Sequence, residues 1–130
     1  MKIGFIGLGN VGGKLSGSLL RNGHDVAAHD LNAEFVALKV AAGARDGKSP
    51  AALMQSCDAV ITCLPSPAAS SAVMAEMLPY VGPGKIWMEM STTDEAEVNR
   101  ICAQVTTVGG EVADCPVSGG CHRADTGNIS

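Results

Sequence analysis

The run Gly7-Leu8-Gly9-Asn10-Val11-Gly12 carries the sharpest chemical signal in this 130-residue chain. Its spacing is G-x-G-x-x-G. It follows a strand-like run, Lys-Ile-Gly-Phe-Ile at 2–6, and opens a stretch with helical periodicity. In that setting each glycine has a mechanical reason. Gly7 permits a tight turn, Gly9 lets a pyrophosphate approach the backbone, and Gly12 lets the helix pack closely on the sheet. The helix start would then aim unsatisfied N–H groups and the positive end of its dipole at phosphate oxygens. Without a ligand the hexapeptide is only a strand-to-helix turn. Asp30 ends a second strand-like run at 25–29, close to the ~20-residue spacing of the acid that receives an adenosine ribose. Its carboxylate can accept from both ribose hydroxyls and would repel a 2′-phosphate, which favours NAD over NADP. Leu31 and Asn32 follow with no Arg or Lys, and Arg21, the nearest basic residue in sequence, sits at the far end of the first helical stretch. Asp30 could instead cap the helix beginning near Asn32, although Asn32 can serve that purpose itself.

Three further segments lie where strand-like runs end: Leu64-Pro65-Ser66-Pro67, Ser91-Thr92-Thr93 and Pro116-Val117-Ser118-Gly119-Gly120. A hydroxyl followed by two glycines can present successive N–H groups as an anion-binding nest, so Ser118, Gly119 and Gly120 suit a carboxylate; they also suit a plain loop. Thr92 with Glu95 reads as a capping box, and Pro65 and Pro67 could simply punctuate a turn. His24 fits a helix C-terminus, His29 in its apolar strand reads as core, and His122 has no visible partner. Five cysteines show no C-x-x-C or zinc spacing, and three lie in apolar runs as small core hydrophobes.

These residues need a scaffold, and the rest of the chain supplies one. Apolar runs at 2–6, 25–29, 58–64, 85–90 and 111–115 alternate with helical patterns at 10–22 and 94–107. Asn32 can open a helix that Gly43 closes, Ser66-Pro67 can start one ending near Pro79, and Ser49-Pro50 can start a short one over 49–56. Strands that are nearly continuous apolar runs, each followed by a helix, imply a doubly wound parallel α/β sheet in a single domain. With Lys plus Arg 9 and Asp plus Glu 13, net charge −4 and no basic run, a nucleic-acid partner is disfavoured. Composition that is 46% hydrophobic and 17% charged excludes disorder. No run approaches the ~20 apolar residues of a membrane span, and no signal peptide opens the chain, so a cytoplasmic location is expected.

The segments Ile3-Gly4-Phe5-Ile6-Gly7-Leu8-Gly9-Asn10, Asn22-Gly23-His24, Leu64-Pro65, Met90-Ser91-Thr92 and Asp114-Cys115-Pro116-Val117-Ser118-Gly119-Gly120 occur in that order. Together they resemble the N-terminal domain of the β-hydroxyacid dehydrogenases, which include 3-hydroxyisobutyrate dehydrogenase and the glyoxylate and semialdehyde reductases. The resemblance implies a Rossmann domain over 1–130 that binds NAD, with NADP second. It implies that Leu64 and Pro65 line the cofactor, that Thr92 sits near the nicotinamide, and that Ser118, Gly119 and Gly120 hold a substrate carboxylate. The parent protein would be a homo-oligomeric oxidoreductase moving hydride between cofactor and a small hydroxy acid. The family's catalytic lysine and helical C-terminal domain fall beyond residue 130, so this chain would hold no catalytic residue and would be inactive alone. The resemblance implies an apolar face near the ends of the last strand and 116–130 on which that helical domain, the family's dimerising part, would dock; left exposed, it is expected to make the chain associate. Two departures stand out: Glu89 where the family usually has Asp, and Cys121-His122-Arg123 in place of small residues. A 6-phosphogluconate dehydrogenase-type cofactor domain and a non-catalytic dinucleotide-binding module are the alternative readings.

Overall fold

The computed structural model describes residues 1–90 and 95–114. Its strands are β1 (Lys2–Ile6), β2 (Asp25–His29), β3 (Arg45–Asp46), β4 (Ala59–Thr62), β5 (Ile86–Glu89) and β6 (Glu111–Asp114). Its helices are α1 (Asn10–Arg21), α2 (Ala33–Ala41), α3 (Pro50–Ser56), α4 (Pro67–Met77) and α5 (Glu95–Thr107), with one 3-10 turn at Leu78–Tyr80. All five strand pairings are parallel, and the order across the sheet is β3-β2-β1-β4-β5-β6. This is the doubly wound Rossmann arrangement expected from the sequence. Five of the six strands fall on the apolar runs. The sixth, β3, was not expected: it consists of two exposed charged residues at the sheet edge, paired only with β2, and has no apolar run to betray it.

Helix starts follow the local chemistry. The Asn32 side chain accepts the Glu34 N–H at 3.0 Å, Ser49 accepts from Ala52 at 3.1 Å, and Ser66 accepts from Ala69 at 3.2 Å. Pro50 and Pro67 occupy the first turns of α3 and α4, where a missing N–H costs nothing.

Because strand side chains alternate, the sheet feeds two cores. Phe5, Val26, Ala28 and Ile61 pack with Leu8 and Leu15 on the α1–α2 side. Ile6, Ala27, Val60 and Trp87 pack on the other side with Leu53, Met54, Met74, Met77, Ile101 and Val105 from α3, α4 and α5. Fully burying such a side chain contributes about 1.5–3 kcal/mol each, so both faces of the sheet are firmly clamped. The buried Trp87 indole keeps a partner, donating to Thr62 Oγ1 at 3.0 Å. Cys57 is buried and Cys63 and Cys102 are half-buried, all as free thiols.

Candidate cofactor-binding cleft

Between β1 and β4 the sheet reverses its order of construction, so the connections leaving these neighbouring strands diverge and leave a crevice beyond their carboxyl ends. A cleft of about 900 Å³ occupies this place. One wall is the glycine loop after β1, another the Cys63-Leu64-Pro65 segment after β4, and the end of β2 contributes His29, Asp30 and Leu31.

The three glycines of the loop are glycines for three different reasons. Gly7 has φ +100°, and a β-carbon there would overlap the Cys63 carbonyl. Gly12 faces the Gly7 carbonyl so closely that a β-carbon would collide with it. Gly9 has an ordinary φ of −67°, and a β-carbon on it would meet nothing within 4 Å. Folding therefore does not demand glycine at position 9; the space beside it belongs to the cleft. Gly9 is also the N-cap of α1 and offers no side chain to the helix, whereas Asn32, Ser49 and Ser66 cap α2, α3 and α4. The first N–H groups of α1 are thus left for a ligand, with the helix dipole behind them.

Asp30 braces this loop. Its Oδ2 accepts the Leu8 N–H at 2.7 Å and its Oδ1 accepts the Asn32 N–H at 2.8 Å, while the Gly7 N–H donates to the His29 carbonyl at 3.0 Å. The carboxylate thus joins the glycine loop to the start of the α2 turn. A carboxylate offers about four lone-pair sites, so two remain for an incoming hydroxyl pair. Opposite, burial pushes the Cys63 thiol above the ordinary range, and the negative charge of Glu89 adds to the effect.

The structure brings Gly7, Gly9, Asn10, Val11, Gly12, Asp30, Leu64 and Pro65 around one cleft. Leu8 differs: its side chain is buried in the α1–α2 core, and it serves the site through its N–H alone. Thr92, Ser118, Gly119 and Gly120 lie outside the described residues. His29, expected in the core, is only half-buried and lines the cleft, because it is the last residue of β2 and escapes the helices that cover Val26, Ala27 and Ala28. Sequence reasoning missed Phe35 and one face of α4, Ala69, Ala72, Val73 and Glu76. That face has the i, i+3, i+4, i+7 spacing of a helical stripe, which was the available signal. The neighbouring stripe of α4, Ser70, Met74 and Met77, is buried.

Residues 2–130 match the family described as the NAD-binding domain of 6-phosphogluconate dehydrogenase. The chain belongs to that family. This NAD-binding domain is 33% identical over 131 residues to the human protein named "Cytokine-like nuclear factor N-PAC", covering 98% of the chain and 24% of the relative. It is 30% identical to a Dictyostelium discoideum protein named "Probable 3-hydroxyisobutyrate dehydrogenase, mitochondrial", covering 98% and 41% respectively. Among solved structures, the 3-hydroxyisobutyrate dehydrogenase of Salmonella typhimurium superposes with a TM-score of 0.93 at 29% identity, over 100% of this chain and 46% of that one. The Mycobacterium tuberculosis 3-hydroxyisobutyrate dehydrogenase with L-serine gives 0.92 at 29%, over 98% and 44%. The NAD-binding domain therefore spans less than half the length of each of these relatives. Their names place one in the mitochondrion and one in the nucleus, so they do not single out a compartment. Among the described residues no helix is long and apolar enough to cross a membrane.

Proposed function

We propose that this chain binds NAD in preference to NADP, as the cofactor-binding part of an oxidoreductase acting on a small hydroxy acid of the 3-hydroxyisobutyrate or glyoxylate type. The observation that carries the reading is Gly9, a glycine that packing does not require, at the uncapped start of α1 and open to the cleft. Asp30 supports the cofactor choice: its two remaining lone-pair sites suit ribose hydroxyls, and its charge opposes a 2′-phosphate. When bound, the nicotinamide supplies the hydride-transfer chemistry. The chain's own contribution is binding and orientation. The N–H groups at the start of α1 hold the pyrophosphate, Asp30 takes the ribose, and Leu64 and Pro65 pack against the cofactor with Thr92 near its nicotinamide end. Ser118, Gly119 and Gly120 orient the substrate carboxylate, and proton transfer falls to a lysine that the family carries on a later segment. Calorimetric titration of the 130-residue chain tests this: NAD binds, NADP binds more weakly, and hydroxy-acid turnover is negligible. Failure of both dinucleotides to bind refutes it.

A second reading, a dinucleotide-binding module without catalysis, is favoured by the 33% identity to relatives named as a nuclear factor. Turnover of a hydroxy acid by the protein in its longest natural form separates the two.

A further inference from the structure

We propose that Lys48 sets how strongly the cleft discriminates against the 2′-phosphate of NADP, a proposal that rests on the dinucleotide reading above. A second cleft, about 610 Å³, runs along α2 on the other side of Asp30. It shares His29, Asp30 and Leu31 with the first and adds Asp46, the last residue of β3, and Lys48 from the turn that follows. In sequence, Asp30 has no cation near it. The fold supplies one from a distant position, because the Gly47 N–H donates to the Ala28 carbonyl at 2.9 Å and ties this turn to the end of β2.

Lys48 itself is held in an unusual way. Its φ is +69°, a left-handed conformation that a β-carbon disfavours. The turn is fixed by the Lys48 N–H donating to Asp46 Oδ1 at 2.9 Å and by the Ser49 N–H donating to the Gly47 carbonyl at 2.8 Å. Lys48 is exposed, and among the described residues its ammonium is in no ion pair. A ribose held by Asp30 would lie beside the residues the two clefts share, with Asp46 and Lys48 lining the second cleft. A 2′-phosphate carries about −1.5 to −2 charges and meets three charged side chains there. Asp30 and Asp46 oppose it. Lys48 attracts it from a flexible four-carbon stem, while the Asp46 carboxylate is pinned to the backbone of the turn. His29 adds an imidazole on the same wall. The two acids outweigh the one lysine, so NAD remains preferred, and the lysine limits the margin. An ammonium about 6 Å from a doubly charged phosphate, even at the dielectric of water, changes affinity about tenfold.

The test measures Kd for NAD and NADP on wild type, Lys48→Asn, Lys48→Arg and Asp46→Asn. Asparagine tolerates the left-handed conformation required at position 48, and in Asp46→Asn the amide keeps an oxygen that can accept the Lys48 N–H. The expected result is that the ratio Kd(NADP)/Kd(NAD) rises about tenfold in Lys48→Asn, stays near wild type in Lys48→Arg, and falls in Asp46→Asn. The Lys48→Asn effect should shrink as salt is raised. A ratio unchanged in Lys48→Asn, with NAD still bound, overturns this proposal and leaves the dinucleotide reading intact. Absence of binding of either cofactor to wild type overturns both.

Discussion

Replacing Asp30 with serine separates two roles that its carboxylate holds together. In the free protein Asp30 braces the glycine loop through the Leu8 and Asn32 N–H groups at 2.7 and 2.8 Å. Hydrogen bonds to a charged group contribute about 1.5–3 kcal/mol each when well shielded. Asp30 is half-buried and water replaces part of what is lost, so Asp30→Ser should destabilise folding by about 1–3 kcal/mol in total. With a urea m-value of about 1–3 kcal/mol/M, that moves the unfolding midpoint down by about 1 M. The second role appears only with ligand. Losing two bonds to ribose hydroxyls, again weakened by water, costs about 1.5–3 kcal/mol, or about tenfold to a hundredfold in NAD affinity. NADP gains relief from repulsion in the same variant, so the NADP-to-NAD Kd ratio should narrow or reverse. A slack glycine loop would weaken both cofactors together and leave the ratio alone. Urea denaturation and paired calorimetric titrations therefore read the two roles independently. Lower stability with an unchanged cofactor ratio would refute the ribose role and reduce Asp30 to a brace.

The glycine loop offers a sharper contrast: Gly9→Val should lose NAD binding at least a hundredfold for only about 1 kcal/mol of stability, the loss of a favourable N-cap residue, whereas Gly12→Ala should cost several kcal/mol because its β-carbon meets backbone. Thermal unfolding with NAD titration checks both, and NAD binding by Gly9→Val would count against the phosphate site. Cys63 should react with iodoacetamide slowly at neutral pH and reach its midpoint above the ordinary thiol range, since burial and Glu89 favour the neutral thiol. Peptide mapping across pH follows it, NAD should slow the reaction further, and rapid alkylation at pH 7 would contradict the assigned environment. Finally, an apolar docking face expected near the end of the last strand should make the 130-residue chain associate into dimers or larger species in solution. A strictly monomeric light-scattering profile at high concentration would reject that expectation.

The parts of the site legible in sequence were those whose chemistry is local. A glycine hexapeptide between a strand and a helix, an acid at the end of the next strand, and Asn32, Ser49 and Ser66 as caps each depend on near neighbours, and each stands where its pattern placed it. What escaped depends on the third dimension. β3 has two charged residues at an edge, so burial never imposed an apolar run on it. His29 shares its strand with Val26, Ala27 and Ala28, yet only its position at the end exposes it. Phe35, Ala69, Ala72 and Val73 carry no polar group that announces a ligand. Lys48 reaches the neighbourhood of Asp30 only because β2 and β3 pair in register, Ala28 opposite Asp46.

The central place of β1 has a consequence for how the molecule is made. β1 pairs on one side with β2 and on the other with β4, and the contact between Lys2 and Asp58 spans 56 residues of chain. At a synthesis rate of about 5–20 residues per second, β4 follows β1 by about 3–11 s. Through that interval Phe5 and Ile6, which end fully buried, lack the β4 side of their shelter. Parallel pairings of this separation also form slowly in the finished chain, because the loop must close before the contact rewards it. The strand that anchors the glycine loop is therefore the one exposed longest to wrong partners. Destabilising changes in β4 should then show first as lost yield of folded protein rather than as weaker cofactor binding.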